Sequence, residues 1–280
     1  MKTSEELKSL VKEKYAEIAM AEKGTNQASC CGAGGCSTEV YNIMTDDYAN
    51  IEGYQSDADL GLGCGLPTEF ASIKPGDVVV DLGSGAGNDC FVARHETGAD
   101  GRVIGIDFTP AMIEKAKHNA EKLGFSNVEF RLGDIEILPL SAKMADVVVS
   151  NCVLNLVPDK TKAFAEIFRV LKAGGHFSIS DIVLDGSIPE KIRTAAEMYA
   201  GCVSGAMQRN EYLKIIQDLG FEHITIQKSK PIVIPDDILK MYLLSEEELA
   251  AFKRNPSPIN SITVFARKPK CCGPESSCCN

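Results

Sequence analysis

Residues 80–88 read Val80-Asp81-Leu82-Gly83-Ser84-Gly85-Ala86-Gly87-Asn88, a strand end followed by glycines at alternating positions. Three valines at 78–80 predict a buried strand that runs directly into these glycines, and a helix is expected after them as far as about Thr97. Glycines let backbone N–H groups approach a ligand closely, and a helix N-terminus favours a phosphate or a carboxylate. The stretch therefore predicts a strand, a ligand-binding turn and a helix in succession.

The alternation of strands and helices continues towards the C-terminus. Strands are predicted at 78–80, 103–106, 128–130, 145–150 and 176–182, and helices at 110–123 and 160–171 besides the one that ends near 97. Gly124 is expected to end the helix at 110–123, and Gly174-Gly175 the helix at 160–171. Continuous apolar strands alternating with helices are typical of a parallel sheet covered on both faces. The sequence thus predicts an α/β fold with a doubly wound, mostly parallel, Rossmann-like sheet.

The flanking segments lack this alternation of strands and helices, and the sequence as a whole suggests four regions. An amphipathic helix is predicted over 3–22, and irregular structure over 39–76 with one short helix near Glu69. A C-terminal α+β extension is expected to hold helices near 189–204 and 209–219 and strands at 224–226 and 261–266. The predicted regions are an N-terminal helix and cysteine-containing loop (1–72), the Rossmann-like domain (73–186), a substrate-side extension (187–268) and a flexible tail (269–280).

Composition argues against two classes of partner. The 280 residues carry 29 Lys and Arg against 39 Asp and Glu, a net charge of −10 that repels nucleic-acid phosphates. No apolar run reaches the ~18 residues that a membrane helix needs, and the N-terminus does not resemble a signal peptide. We therefore expect a cytoplasmic protein without a nucleic-acid or membrane partner.

Cysteine usage is unusual for such a protein. The eleven cysteines are an odd number, and a reducing cytosol does not normally hold structural disulfides. They lie at positions 30, 31, 36, 64, 90, 152, 202, 271, 272, 278 and 279. This usage predicts soft-metal binding, thiol catalysis or both.

An acidic residue beyond the glycines narrows the choice of ligand. Asp107 follows the second predicted strand about twenty residues later, where it can accept hydrogen bonds from both hydroxyls of a ribose. The combination fits a dinucleotide or S-adenosylmethionine. The glycines fall as G-x-G-x-G behind Asp81, whereas a dinucleotide site has G-x-G-x-x-G.

This order resembles motif I of the class I S-adenosylmethionine-dependent methyltransferases. Gly133-Asp134 resembles the acidic position that meets the adenine amino group in that class, and Leu171-Lys172-Ala173-Gly174-Gly175 resembles the turn before its fifth strand. The resemblance implies that S-adenosylmethionine is the cofactor. The residues expected to bind it are Asp81, Gly83, Ser84, Gly85, Gly87, Asp107, Met112, Gly133, Asp134, Ile135 and Asn151.

Three cysteines stand in sequence contexts that are unusual for packing residues. Cys152 directly follows the fourth strand, and ligands of open α/β sheets lie outside the carboxyl ends of the strands. Cys64 stands between Gly63 and Gly65, and Cys202 lies among small residues. Each alone could be a packing residue. Together they indicate a substrate with high affinity for thiols.

At this point the chain resembles the arsenite S-adenosylmethionine methyltransferases. The resemblance covers about residues 1–268 and is carried by D-L-G-L-G-C-G at 59–65, D-L-G-S-G-A-G at 81–87, S-N-C-V-L-N-L at 150–156 and A-G-C at 200–202. It implies that Cys152 and Cys202 hold trivalent arsenic and that Cys64 is a third thiol, which also forms a disulfide during turnover. Cys36 fits the fourth functional cysteine, with Cys30 and Cys31 close by.

The resemblance implies an arsenic-detoxifying enzyme that methylates arsenite and then methylarsenite. A thiol reductant, thioredoxin or glutathione, is expected as co-substrate. Trivalent arsenic is soft and trigonal and keeps a lone pair, so three thiolates can hold it with that lone pair directed at the methyl group, where proximity supplies much of the catalysis. No general base is needed, and we interpret the four histidines, at positions 95, 118, 176 and 223, as structural or surface residues.

The sequence leaves other interpretations of the cysteines and of the function open. Cys90 is expected to be a packing residue, and the terminal cysteine pairs could be a flexible arsenic trap, a zinc site or an inert tail. A different small-molecule methyltransferase would tolerate loss of Cys64 and Cys202. A non-enzymatic metalloid-binding protein would need thiols but would give no role to Asp81, Gly83 or Asp107.

Overall fold

A computed structural model describes residues 4–20, 46–188, 205–233, 245–253 and 259–270. Cys36, Cys202, the helix predicted near 189–204 and residues 271–280 of the tail lie outside these residues. The helices are α1 (Ser4–Met20), α2 (Asn88–Thr97), α3 (Pro110–Leu123), α4 (Lys160–Val170), α5 (Arg209–Asp218) and α6 (Glu246–Lys253). The strands are β1 (Val78–Leu82), β2 (Arg102–Asp107), β3 (Val128–Leu132), β4 (Ala145–Asn151), β5 (Leu171–Leu184), β6 (Met207–Gln208), β7 (Glu222–Pro231) and β8 (Ile259–Arg267).

The described strands form one sheet in the order β3-β2-β1-β4-β5-β8-β7, with β6 paired to β5. Strands β1 to β5 are parallel, whereas β8 runs antiparallel to both β5 and β7. The predicted mostly parallel, doubly wound sheet is confirmed. Because β7 and β8 extend this sheet, the strands of residues 187–268 share it with residues 73–186, and the four-region division stays a prediction.

Burial on both faces explains the apolar strands. Val79 and Val80 are neighbours in β1, yet each is fully buried in a different hydrophobic core because successive strand side chains point to opposite faces. Phe164 and Phe177 fill the core beneath α4, and Phe91 fills the core beneath α2. These two cores hold the carboxyl ends of β1, β2 and β4 at one edge of the sheet.

Local signals set most helix boundaries. Pro110 occupies the start of α3, and Gly124 closes it in the left-handed conformation at φ 69°, as predicted. The side chain of Asp159 caps α4 by accepting a hydrogen bond from the Lys162 backbone N–H at 3.0 Å. A short 3₁₀ turn at Thr68–Phe70 confirms the helix expected near Glu69.

The helix predicted at 160–171 ends within one residue of its predicted end, but the role assigned to Gly174-Gly175 is wrong. Helix α4 already ends at Val170, and β5 begins at Leu171, which pairs with Ala145. The two glycines instead lie inside β5, where the register with β4 shifts. Pairing across the sheet overrides the local glycine signal here, and Gly174, at φ 79°, accommodates the irregularity.

Helix α1 covers part of the sheet edge at which β2 and β3 end. Ile18 is fully buried against Met112 of α3, and the Lys115 ammonium donates to the Ala19 carbonyl at 3.0 Å. Within the described ranges, no helix is long and apolar enough to cross a membrane.

Candidate active site

A cavity opens at the carboxyl ends of the parallel strands. It encloses about 1060 Å³ of empty space including its mouth, which suits a small-molecule ligand. Its wall includes nine residues that were predicted from the sequence to bind cofactor or substrate. These are Asp81, Gly83, Ser84, Gly85, Asp107, Asp134, Ile135, Asn151 and Cys152.

The glycine loop is shaped so that backbone lines this cavity. Gly83 has φ 71° and donates its N–H to the Ile106 carbonyl at 2.7 Å, which ties the loop to β2. A Cβ on Gly83 would overlap the side chain of Val153 and lie 2.6 Å from its Cγ1. Gly87 has φ 101° and caps the start of α2, whose first two residues, Asn88 and Asp89, line the cavity.

The predicted ribose acceptor is held in place by backbone donors. Asp107 Oδ2 accepts from the Gly85 N–H at 3.0 Å, and its Oδ1 accepts from the Thr109 N–H at 2.8 Å. Burial raises the pKa of Asp107, and the backbone donors oppose that rise. Each carboxylate oxygen keeps a second lone pair for a ligand hydroxyl.

Two further carboxylates lie deeper in the wall. Burial and the charge of Asp89 raise the pKa of Asp81 well above its usual range, and burial raises the pKa of Asp89 to about 6. The Cys90 thiol donates to Asp81 Oδ2 at 3.2 Å, so this cysteine is buried as predicted and also contacts a cavity carboxylate. Clustered buried carboxylates stabilise a cation that enters between them.

The cavity region also contains buried polar atoms to which a ligand could bond. Within the part of the chain that the structure describes, Ser84 Oγ and Asn88 Oδ1 are buried without a hydrogen-bond partner. Buried polar groups of this kind are rare unless a ligand or water completes them. A ligand with a cationic centre, hydroxyls and an amino group matches this wall, and S-adenosylmethionine has all three.

The adenine side of the predicted site carries an unexpected partner. Lys8 of α1 donates to Asp134 Oδ2 at 2.6 Å and also bonds to Glu136, and it lines the cavity. Asp134 Oδ1 accepts from the Glu136 backbone N–H at 2.9 Å. Thus α1 contributes to the cavity wall, a role that its amphipathic pattern did not reveal.

Two of the predicted thiols are brought together. Cys64 and Cys152 are both buried in one cluster with Ile182, and Cys152 lines the cavity. Cys152 follows β4 with φ 61°, a conformation that strains a non-glycine residue, and its N–H donates to the Ser180 carbonyl at 2.8 Å. Strain of this kind often marks a functional position.

A buried acid lies near the thiols and was not predicted. Burial raises the pKa of Asp181 to about 7, and the Tyr212 hydroxyl donates to its Oδ2 at 3.3 Å. Burial and the charge of Asp181 raise the pKa of Tyr212, and the charges of Cys64 and Cys152 add to that rise. Only the pairing of β5 with its neighbours brings these groups together.

Some residues that were predicted to belong to the site do not line the cavity. Gly87, Met112, Gly133 and Cys64 are described but are not among the cavity-lining residues. A Cβ on Gly133 would lie 2.7 Å from Pro139, and one on Gly87 would lie 2.9 Å from two aromatic rings, so both glycines permit close packing. Cys36 and Cys202 lie outside the described residues.

The histidines agree with their predicted structural or surface roles. His176 is buried, with Nε2 2.6 Å from the Ala71 carbonyl, and burial lowers its pKa. His95 is exposed and pairs with Glu52, and His118 and His223 are exposed. Over the described ranges, no cluster of three or more His, Cys, Asp or Glu side chains could hold a metal ion.

The sheet order, the glycine loop and the acid after β2 together define a class I methyltransferase domain. In agreement, the family described as "Methyltransferase domain" matches residues 73–220. The YcgJ protein of Bacillus subtilis shares the fold at a TM-score of 0.60 and 22% identity, covering 74% of this chain and 97% of that one.

More similar relatives narrow the family. An arsenite methyltransferase of Halobacterium salinarum is 42% identical over 79% of this chain and 59% of its own length. One of Aquipseudomonas alcaligenes is 32% identical over 80% of this chain and 65% of its own. The crystal structure of an arsenic(III) S-adenosylmethionine methyltransferase from Chlamydomonas reinhardtii has a TM-score of 0.61 and 30% identity, over 84% of this chain and 74% of that one. The chain belongs to the arsenite methyltransferase family, and it spans less than two thirds of the first two relatives.

Proposed function

We propose that this chain methylates trivalent arsenic, arsenite first and methylarsenite second, with S-adenosylmethionine as methyl donor and Cys64, Cys152 and Cys202 as arsenic ligands. The observation that carries the proposal is the burial of Cys64 and Cys152 in one cluster, with Cys152 also in the cavity wall. Two buried thiols at the edge of a methyl-donor site suit a soft, thiol-binding acceptor better than an oxygen or carbon acceptor.

Cys202 joins this pair in the proposal because of its sequence context, and the described residue nearest to it along the chain is Gly205. Gly205 follows Cys202 by three residues, accepts a hydrogen bond from the Lys160 ammonium at 2.8 Å and lies against the Asn155 backbone. Three residues span at most ~11 Å. Asn155 is itself three residues from Cys152, so a third thiolate within reach of the other two is consistent with these contacts.

The cavity residues have separable roles. Asp107 would hold the ribose hydroxyls of the cofactor, Asp134 the adenine amino group, and Asp81 and Asp89 would stabilise its positive charge. When bound, S-adenosylmethionine supplies an electrophilic methyl group on a sulfonium sulfur. Cys152 would orient arsenic towards the cavity, and the apolar cluster behind it would exclude water.

Binding of arsenic needs no buried base. Each thiol replaces one hydroxide on arsenite, an arsenic–sulfur bond replaces an arsenic–oxygen bond, and the thiol proton leaves with hydroxide as water. Methylarsenite has two exchangeable valences instead of three, so its binding requires two thiolates. We assign those to Cys152 and Cys202, and the third thiolate, needed for arsenite alone, to Cys64.

The remaining chemistry is a return to the trivalent state. When its lone pair forms the bond to the methyl group, arsenic goes formally from trivalent to pentavalent. It then takes up two electrons to return, which two thiols release when they form a disulfide. We assign that pair to Cys64 and Cys36, with thioredoxin or glutathione reducing the disulfide afterwards. A reducing cytoplasm suits an enzyme with eleven cysteines, and we propose arsenic detoxification there as its role.

The test is arsenic speciation after incubation of the full chain with S-adenosylmethionine, a thiol reductant, and arsenite or methylarsenite. Cys152→Ser and Cys202→Ser should abolish both methylations, because a hydroxyl is a poor ligand for soft arsenic. Cys64→Ser and Cys36→Ser should abolish methylation of arsenite and spare that of methylarsenite. Cys279→Ser, in the tail, is the matched control and should retain both.

Two results would overturn the ligand assignment. One is equal loss of both activities in Cys64→Ser, and the other is retention of either activity in Cys152→Ser. An inactive wild-type chain that binds S-adenosylmethionine would instead refute the choice of substrate.

A further inference from the structure

The hydroxyl of Tyr48 lies between the cofactor wall and the loop that carries Cys64. The side chain is 6% exposed, and its oxygen is 2.9 Å and 3.0 Å from the two carboxylate oxygens of Asp89. The same oxygen accepts a hydrogen bond from Asn151 Nδ2 at 2.7 Å and lies 3.2 Å from the Gly65 carbonyl. One buried phenol therefore contacts α2, the end of β4 and the Cys64 loop.

Asn151 transmits this contact to Cys64. Its Oδ1 accepts from the Cys64 backbone N–H at 3.0 Å, and its Nδ2 donates to the Gly65 carbonyl at 2.8 Å. A Cβ on Gly63 would lie 2.6 Å from Asn151 Nδ2, so the loop packs against the amide with no room for a side chain at residue 63. The backbone on both sides of the Cys64 thiol is thus held by one amide group.

The direction of the hydrogen bonds follows from the donors available. The amide of Asn151 donates to Tyr48, and the single hydroxyl proton of Tyr48 is then best given to Asp89, because a bond to a carboxylate is stronger than one to a neutral acceptor. This order keeps the Asn151 oxygen free to accept from Cys64. Without the Tyr48 hydroxyl, the Asn151 amide loses one of the partners that fix its orientation.

We propose that the Tyr48 hydroxyl is a positioning group that sets the Cys64 thiol relative to the cofactor wall through Asn151. The proposal deepens the proposed function and rests on it for the identity of the substrate. It concerns the arsenite step in particular, because Cys64 is the ligand that methylarsenite does not require.

Packing alone does not account for this arrangement. The Tyr48 ring contacts Leu66 and Val92 and stacks on Tyr54 with ring centroids 6.2 Å apart, contacts that phenylalanine would also make. The hydroxyl adds the polar links and nothing to the apolar cluster. Tyr48→Phe therefore separates the positioning role from the packing role.

Tyr54→Phe is the matched control. It removes the same group from the stacked ring, whose hydroxyl donates to Asp59 at 3.0 Å and makes no described hydrogen bond to Asp89, Asn151 or Gly65. Circular dichroism melting of both variants establishes that they fold.

The first measurement compares methylation of arsenite and of methylarsenite. Tyr48→Phe should lower kcat for arsenite at least ~10-fold and kcat for methylarsenite by less than ~3-fold, whereas Tyr54→Phe should leave the ratio unchanged. An unchanged ratio in Tyr48→Phe would overturn the proposal.

The second measurement is the pH dependence of S-adenosylmethionine affinity, by calorimetry. Tyr48 and Asn151 donate to Asp89, Thr68 Oγ1 lies 3.5 Å from it, and the charges of Asp59 and Asp81 lie near it. Asp89 has a raised pKa of about 6, and its deprotonated form attracts the cofactor's positive charge, so affinity should fall as the pH drops through that value.

Loss of the Tyr48 donor raises the pKa of Asp89 further. The pH range over which S-adenosylmethionine affinity falls, its acidic limb, should therefore lie ~0.5–1 pH unit higher in Tyr48→Phe than in the wild type. The reason is that loss of a hydrogen bond to a carboxylate disfavours its charged form. In an Asp89→Asn background the same substitution should move nothing. An unmoved limb in Tyr48→Phe would refute the contact with the cofactor wall.

The two failures are distinguishable. If the wild-type chain methylates no arsenical, the proposed function fails. The pH dependence of S-adenosylmethionine affinity and the amount of arsenite that the protein retains after gel filtration then still test the role of Tyr48. If Tyr48→Phe does not fold, Asn151→Asp takes its place, because it removes the amide that donates to Tyr48 and keeps an oxygen that accepts from the Cys64 N–H. A lower arsenite-to-methylarsenite ratio in this variant supports the link from Tyr48 to Cys64, and an unchanged ratio refutes it.

Discussion

Substitution of Gly83 by alanine tests the shape of the glycine loop. The residue has φ 71°, and holding a side chain in that conformation costs ~1–2 kcal/mol. The new Cβ would also overlap Val153, 2.6 Å from Cγ1, and overpacking of this kind costs ~1–3 kcal/mol. Gly83→Ala should therefore lower the free energy of unfolding by ~2–5 kcal/mol, and it should weaken S-adenosylmethionine binding because both residues line the cavity.

The two contributions are separated by comparison variants. Gly124→Ala has nearly the same backbone conformation, φ 69°, with nothing within 4 Å of the added Cβ, so it should show the conformational cost alone. Val153→Ala in the Gly83→Ala background should recover the overlap cost and give a coupling energy of at least ~1 kcal/mol. Urea denaturation gives the stabilities, and calorimetry gives the cofactor affinities.

One result would refute this reasoning. If Gly83→Ala is no more destabilising than Gly124→Ala, and Val153→Ala restores neither stability nor affinity, then the loop does not press against Val153 as the structure has it.

Three further predictions concern other parts of the chain. Asp107→Ala should weaken S-adenosylmethionine binding by ~1–3 kcal/mol, because it removes charged acceptors of the ligand and of the Gly85 and Thr109 N–H groups; unchanged affinity by calorimetry would contradict the ribose assignment. Asp181 has a pKa of about 7 in the folded protein against 3.8 for the free side chain. Between these pH values the folded chain keeps this proton and the unfolded chain loses it. The free energy of unfolding should therefore fall as the pH rises from 4 to 7, by at most ~4 kcal/mol. Asp181→Asn should flatten that fall in urea denaturation measured from pH 4 to 7, and an equally steep fall would count against the assignment. Truncation after Lys268 should leave turnover intact at saturating arsenite and slow it at low arsenite, since the tail lies beyond β8; inactivity at saturation would place the tail in the active site.

Much of the fold was predictable because its signals are local. The valines of β1, the Pro110 start and Gly124 end of α3, and the apolar runs of β2 and β4 each act within a few residues. Gly174-Gly175 shows the limit of that approach. The same glycines that would end a helix were absorbed into β5, because pairing of Leu171 with Ala145 satisfies backbone groups that a longer helix would leave beside the sheet.

The cofactor side of the candidate site was predictable for a related reason. In a parallel sheet, residues that directly follow a strand lie at the same edge, so Gly83, Asp107, Asp134 and Cys152 share one cavity although they are far apart in sequence. Asn88 and Asp89 also line the cavity, and their place at the start of the helix after the glycine loop could have predicted this. Lys8 carried no such signal, because its contact with Asp134 depends on how α1 docks.

By itself, the sequence determined the strand–loop–helix order, the acids after the strands and the supply of thiols, since each depends on neighbours along the chain. Only the tertiary structure decided which of these groups meet. The Cys64 loop lies beside Cys152 because Asn151, 86 residues beyond Gly65, bonds to that loop, and because Tyr48 completes the bond network from a third segment. Hydrogen bonds over such separations form only after the sheet has assembled, so no local pattern encodes them.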